Sequence, residues 1–177
     1  AHRFDIAGKI KFYEELCGGI NNIPFSDYGV ISDTKERLLN WLSGLKHKEV
    51  LSHIDPVADN FIFLEGADIS ENERDQSKIK LIDWEYAAMN DPLIDIGMCA
   101  IYSYMEEDST EKLMNAYFGR EPEKEERLTV YAYMALGGLL WSLWGVYKEQ
   151  LGVNFSDYTI KMYRYFKKYS AKVLKVV

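Results

Sequence analysis

The chain is poor in cysteine, in histidine and in positive charge, and each shortage excludes something. It has two cysteines, Cys17 and Cys99, among 177 residues. Each sits in an apolar stretch. Two thiols give no disulfide framework and read as small buried hydrophobes in a reducing compartment, so a cytoplasmic location is expected. The three histidines make no Cys/His pair with zinc-ligand spacing. Lys and Arg number 21 against 28 Asp and Glu, a formal net charge of −7. With no basic block, nucleic acid and anionic lipid are poor partners, whereas a cationic ligand is tolerated. The start, Ala1-His-Arg-Phe-Asp5, lacks the apolar core of a signal peptide. There is no Pro/Gly/Ser-rich linker and no repeat. Apolar residues at 47% and charged residues at 28% are globular proportions, so residues 1–177 read as one domain with a core of its own. One uncharged run, Val130 to Tyr147, is long enough to raise the question of a membrane span. Trp141 and Trp144 lie well inside it, and Tyr131, Tyr133, Ser142 and Gly137-Gly138 dilute it. A buried core helix is the expectation.

The periodicity is mostly helical. Phe4 to Leu16 carries Ile6, Ile10, Tyr13 and Leu16 at helical spacing and is ended by Gly18-Gly19. Asn21 to Asp33 reads as loop. Asp33 or Thr34 caps a helix with Leu38, Leu39, Leu42 and Leu45 on its apolar face. Three short β-like runs follow, at 50–55, 61–64 and 79–84, with a polar hairpin tip at 65–77. Beyond Pro92 the chain reads helical again. Leu93 to Met105 is apolar nearly all round. Asp108-Ser-Thr110 caps a helix ending near Phe118. A long helix with Pro122 in its first turn reaches Gln150, and the last one runs from Ser156-Asp157 to about Val173. The fold class expected is α+β, mainly α, with a small β insert that carries the chemistry.

Polar residues gather at the strand ends. His53 and Asp55 end one strand, Asp59-Asn60 follow, and Asp83-Trp84-Glu85 end another. If these ends meet, Asp55, Asn60 and Asp83 supply two carboxylates and an amide oxygen, hard ligands of the kind Mg²⁺ shares with phosphate oxygens and water. A carboxylate left off the metal can take a proton from a hydroxyl nucleophile. Phosphoryl transfer uses such a set. Any one of these residues alone is a turn or cap residue. The pattern His-x-Asp-x4-Asn followed by apolar-apolar-Asp-aromatic-Glu is far more specific.

Three segments, Leu51-Ser-His-Ile-Asp-Pro-Val-Ala-Asp-Asn-Phe-Ile62, Leu81-Ile-Asp-Trp-Glu-Tyr-Ala87 and Asp91-Pro-Leu-Ile-Asp-Ile-Gly97, resemble the choline/ethanolamine kinase and aminoglycoside phosphotransferase superfamily. The resemblance spans roughly 49–165 and implies the C-terminal lobe of a protein-kinase-like fold. By it, Asp55 is the catalytic Asp, His53 braces the catalytic loop, and Asn60 and Asp83, with Glu85 nearby, hold Mg²⁺ for ATP. Asp95 matches a buried structural Asp that binds the catalytic-loop backbone. Trp141-Ser-Leu-Trp144 and Phe155-Ser-Asp-Tyr158 resemble the aromatic pocket of choline kinases, with Tyr86, Tyr102 and Tyr104 as further walls. Indoles at i and i+3 share a helix face, and aromatic faces are what a quaternary ammonium requires. Eukaryotic choline kinases carry a Glu where Tyr102 stands, so the pocket resembles a bacterial type. The implied substrate is choline or a similar amino-alcohol. A kinase for ethanolamine, thiamine or an aminoglycoside, or a non-catalytic cation-binding pseudo-kinase fragment, are the alternatives. No Gly-x-Gly-x-x-Gly and no strand-rich segment precede His53. The nucleotide-gripping N-terminal lobe is therefore expected to be missing, and the chain alone to be inactive.

Overall fold

A computed structural model describes residues 2–46, 48–64 and 78–177. The hairpin tip expected at 65–77 lies outside the described residues. Among the described residues six α-helices run in chain order, α1 Ile6–Leu16, α2 Tyr28–Gly44, α3 Leu93–Tyr102, α4 Glu107–Phe118, α5 Lys124–Gln150 and α6 Ser156–Leu174. Between α2 and α3 the described residues form four three-residue strands, β1 Val50–Ser52, β2 Phe61–Phe63, β3 Ile79–Leu81 and β4 Ala88–Asn90. The mainly α architecture with a small β insert is as expected.

Helix starts follow local chemistry, and several differ from the sequence reading. α1 begins at Ile6 because the Asp5 carboxylate accepts from the Gly8 amide at 2.9 Å. α2 begins at Tyr28, not at Asp33 or Thr34, so half of the supposed loop is helical. Its buried stripe is Tyr28, Ile31, Lys35, Leu38 and Leu42. The Lys35 in that stripe hides the period. Its ammonium donates to Glu14 at 2.9 Å, and the Tyr28 hydroxyl donates to the same carboxylate oxygen at 2.6 Å. Asp27, at the N-cap position, receives Tyr163 Oη and Lys167 Nζ, each at 2.6 Å. These donors hold its carboxyl below the usual range and tie α2 to α6. α4 starts at Glu107 with Glu106 as N-cap, two residues before the expected Asp108. Pro122 stands just outside α5, whose start is a capping box between Glu123 and Glu126. α3 stops at Tyr102, short of Met105, and Tyr104 follows with φ +51°.

The strands form two separate antiparallel pairs. β2 pairs with β3 as the expected hairpin, with Ile62 opposite Lys80. β1 pairs instead with β4, with Leu51 opposite Met89. Residues 88–90 carry no strand signal in the sequence, and the pairing is a correction to the expected three runs.

The uncharged run is the core. α5 has the length and composition of a membrane-crossing helix, yet 89% of its most apolar window is buried inside the fold. α6, α3 and α1 pack around it. Small residues let the backbones approach. A Cβ on Gly138 would lie 2.6 Å from the Met162 carbonyl oxygen and 3.0 Å from the Phe166 amide nitrogen. A Cβ on Gly97, in α3, would lie 3.1 Å from the Met134 nitrogen. Gly138→Ala would ordinarily favour a helix interior by about 1 kcal/mol. Here it forces α5 and α6 apart, and a net destabilisation of roughly 1–3 kcal/mol is expected. Thermal unfolding checks this: the Tm falls by several degrees, whereas a rise would mean the helices separate without cost.

Candidate active site

The loop after β1 is built around a strained residue. Ile54 has φ +72°, a left-handed conformation that costs a β-branched side chain roughly 1–3 kcal/mol. Asp95, in the first turn of α3, holds the strain in place. Its two carboxylate oxygens accept from the His53 and Ile54 amides, each at 2.8 Å. Burial pushes the Asp95 carboxyl up, and the two amides pull it back. The Ile54 side chain is buried beneath the turn.

From there the loop closes on itself. The Asp55 carbonyl accepts from the Val57 amide at 2.8 Å and from Asn60 Nδ2 at 2.9 Å. The two strand ends meet, although β1 and β3 belong to different sheets. The Ile82 amide donates to the Asn60 carbonyl at 3.0 Å. The Ile82 carbonyl lies 2.8 Å from His53 Nε2. One residue of the second loop is thus held on both sides by the first. The next residue, Asp83, adopts φ +62°. Asp55, Asn60 and Asp83 come together as expected, joined by loop bonds rather than by strand pairing.

His53 is almost wholly buried and does not line the cavity beside Asp55. Its ring reaches the Ile82 carbonyl and stands edge-on to Trp84 at 4.8 Å, a bracing position. Burial raises the Asp55 pKa, and the neighbouring Asp83 raises it further. The nearby Tyr102 hydroxyl, His53 and the Asn60 amide oppose that shift. A carboxylate moved toward neutral pH is a better proton acceptor.

The cavity, about 280 Å³, is lined by Asp55, Val57, Tyr102, Trp141, Trp144, Phe155 and Tyr158. The indoles one helical turn apart on α5 meet at 6.0 Å, nearly perpendicular. Trp144 is the hub, with Phe155 at 4.7 Å and Tyr158 at 5.9 Å, both edge-to-face. Tyr102 closes the side next to Trp141 at 5.9 Å. Five rings and one carboxylate therefore share one chamber. The Tyr102 hydroxyl and Trp141 Nε1 are buried with no partner within hydrogen-bond geometry, although Tyr102 lies near both Trp141 and Asp55. They are free to bind an occupant. Lys148 Nζ lies 5.5 Å from the Trp144 ring centroid, so this aromatic surface already attracts a cation.

Other expected site residues lie outside that chamber. Tyr86 and Glu85 are exposed on the turn after Asp83 and do not line it. Tyr104 is exposed too, with Lys161 Nζ 4.5 Å over its ring. Val57 lines the cavity without having been singled out; one apolar residue between Asp55 and Asn60 carries no signal. Among the described residues no cluster of three or more His, Cys, Asp or Glu side chains could hold a metal. The fit is to a cation that takes few protein oxygens. With Asn60 Nδ2 engaged, its Oδ1 and the exposed Asp83 carboxylate are the protein oxygens that would hold it. Mg²⁺ bound this way would draw its other ligands from water and phosphate.

Matching residues 21–131, the phosphotransferase enzyme family model covers most of the chain, and the protein belongs to that family. Its structural neighbours are choline and ethanolamine kinases. A choline/ethanolamine kinase family protein from Mesorhizobium loti has a TM-score of 0.78 at 26% identity, over 98% of this chain and 60% of that one. The choline kinase LicA from Streptococcus pneumoniae has a TM-score of 0.74 at 31% identity, over 97% of this chain and 56% of that one. Protein LicA of Haemophilus influenzae is 29% identical over 92 residues, 48% of this chain and 34% of that protein. The fold is therefore kinase-like, mainly α with a small β insert. The chain spans about a third of that curated relative and under two thirds of its solved neighbours.

Asp95→Asn tests the grip on the loop. The amide keeps the shape but offers one oxygen and one NH₂ to two N–H donors. A loss of roughly 2–3 kcal/mol is expected from the unmet amide and the lost charge-assisted bond. Chemical denaturation measures it, and a variant as stable as the parent would show that the strained turn holds itself.

Proposed function

We propose that this chain is the substrate-binding and catalytic lobe of an ATP- and Mg²⁺-dependent kinase that phosphorylates the hydroxyl of choline. The carrying observation is the chamber that joins Asp55 to five aromatic rings. A quaternary ammonium has no hydrogen to donate and is held by ring faces, at about 0.5–2 kcal/mol per ring. With the cation among Trp141, Trp144, Phe155, Tyr158 and Tyr102, the hydroxyl of so short a molecule reaches Asp55. That carboxylate accepts the hydroxyl proton and orients its oxygen for attack on the terminal phosphate of ATP. His53 keeps the loop in register, and Asp95 keeps Asp55 aimed. Mg²⁺ on Asn60 and Asp83 would neutralise phosphate charge. A LicA has also been solved in complex with AMP, at 30% identity to this chain, which supports the nucleotide half of this reading. A multiply aminated sugar is less suited, because the chamber contributes a single carboxylate.

Transfer is proposed to require a second, nucleotide-gripping lobe. Phe63 and Ile79, opposite each other in the β2–β3 pair, and Ile82 and Trp84 just beyond it are exposed, apolar surface near Asp83 that such a lobe would cover. The free thiols Cys17 and Cys99 accord with a cytoplasmic setting.

Tryptophan emission during choline titration tests the chamber. A saturable quench or shift is expected, lost in Trp144→Ala and retained in Asp55→Asn. No response up to high millimolar choline in the folded protein would remove choline as the substrate.

Turnover tests the chemistry. In a full-length enzyme Asp55→Ala is expected to lower kcat by at least about 10²-fold, the lower range for a general base. Residues 1–177 alone are expected to transfer no phosphate from ATP to choline. Robust turnover by them would end the argument for a second lobe.

A further inference from the structure

A second concavity, of about 710 Å³, opens between α6 and the turn that follows α3 and has no lining residue in common with the choline chamber. Its volume is in the range of small-molecule sites. Its charge runs against that of the whole chain. Lys161, Arg164, Lys167 and Lys168 line it, against the single carboxylate of Glu106, in a protein of net charge −7. Two of these cations are already answered. Lys167 meets Asp27 at 2.6 Å and Lys168 meets Glu106 at 2.5 Å. One turn further on, Lys172 meets Glu107 at 2.7 Å.

Lys161 and Arg164 are not answered: neither has a carboxylate within ion-pair distance among the described residues. Asp157 precedes Lys161 by one helical turn, the spacing at which such pairs form, yet no bridge joins them. The Lys161 ammonium lies over the Tyr104 ring instead, at 4.5 Å. Three residues apart on α6, the two spare cations share one face of the helix. Two rings complete the walls. Tyr165 is fixed by its hydroxyl, which donates to the Met105 carbonyl at 3.0 Å. Tyr104 is half exposed.

We propose that this groove binds a soluble phosphate ester with an apolar or aromatic body. A guanidinium fork beside an ammonium matches a phosphate dianion, and the tyrosine rings receive the body. An anionic bilayer suits the site less well, because Lys167, Lys168 and Lys172, the further cations a flat lipid surface would need, are already paired with Asp27, Glu106 and Glu107. The groove adjoins the chamber, since Tyr158 and Lys161 are one turn apart on α6.

Phenyl phosphate is the probe, titrated calorimetrically at fixed ionic strength without Mg²⁺. Saturable single-site binding is expected, at least ten-fold weaker in the Lys161→Gln/Arg164→Gln double variant, with circular dichroism and Tm unchanged. The charge-preserving Lys161→Arg/Arg164→Lys variant should bind within a few-fold of the parent. Phenol should not bind, and inorganic phosphate should bind more weakly than the ester. Equal binding by the Gln variant, no binding of phenyl phosphate, or association only with phosphatidylglycerol vesicles would each overturn the proposal. The outcome is independent of whether choline is the substrate.

Discussion

The Asp95 carboxylate reaches across from α3 and takes the amides of His53 and Ile54 together. Ile54 is held in a conformation that its branched side chain resists. Without a fixed acceptor for both amides the turn would relax toward extended backbone, and Asp55 would swing out of the chamber. The acceptor is fixed because α3 is itself clamped, its Gly97 lying against the backbone of α5. Close packing in the core thus sets the aim of one carboxylate at the surface. Such a chain of dependence suits a site where a proton acceptor must meet a hydroxyl to within a few tenths of an ångström.

α5 has two roles along its length. Its middle is interior, buried on all sides against α1, α3 and α6. Toward its C-terminal end Trp141 and Trp144 are only partly buried and face the chamber. The same helix supplies hydrophobic stability and, in the function proposed, a cation-binding wall. Interior filling and cage are two stretches of one apolar run. The aromatic contacts are mostly edge-to-face, which leaves ring faces for an occupant while the edges brace one another.

Much of this was legible in the sequence, because the informative residues carry side-chain chemistry. Helical periodicity gave α1, α3, α5 and α6 within a few residues, motif spacing pointed to Asp55, Asn60 and Asp83, and the family resemblance pointed to Asp95. The start of α2 was hidden by a lysine on its buried face, whose Glu14 partner lies in another helix. β4 was hidden because Ala88-Met89-Asn90 is too short to show a period, and its pairing with β1 is a matter of backbone. The bond pair that fixes Ile82 between Asn60 and His53 involves main-chain groups of Asn60 and Ile82, which no residue pattern announces. The groove beside Tyr104 depends on which lysines find carboxylates in other helices, a three-dimensional fact.

The clasp on Ile82 has a mechanical consequence. Residues from the first loop grip both faces of one link in the second, so the two loops travel as a single block. Asp55 and Asp83 cannot drift apart while that clasp holds. In the function proposed, any opening that admits a nucleotide must hinge elsewhere, and the distance between Asp55 and Asp83 stays constant through the cycle.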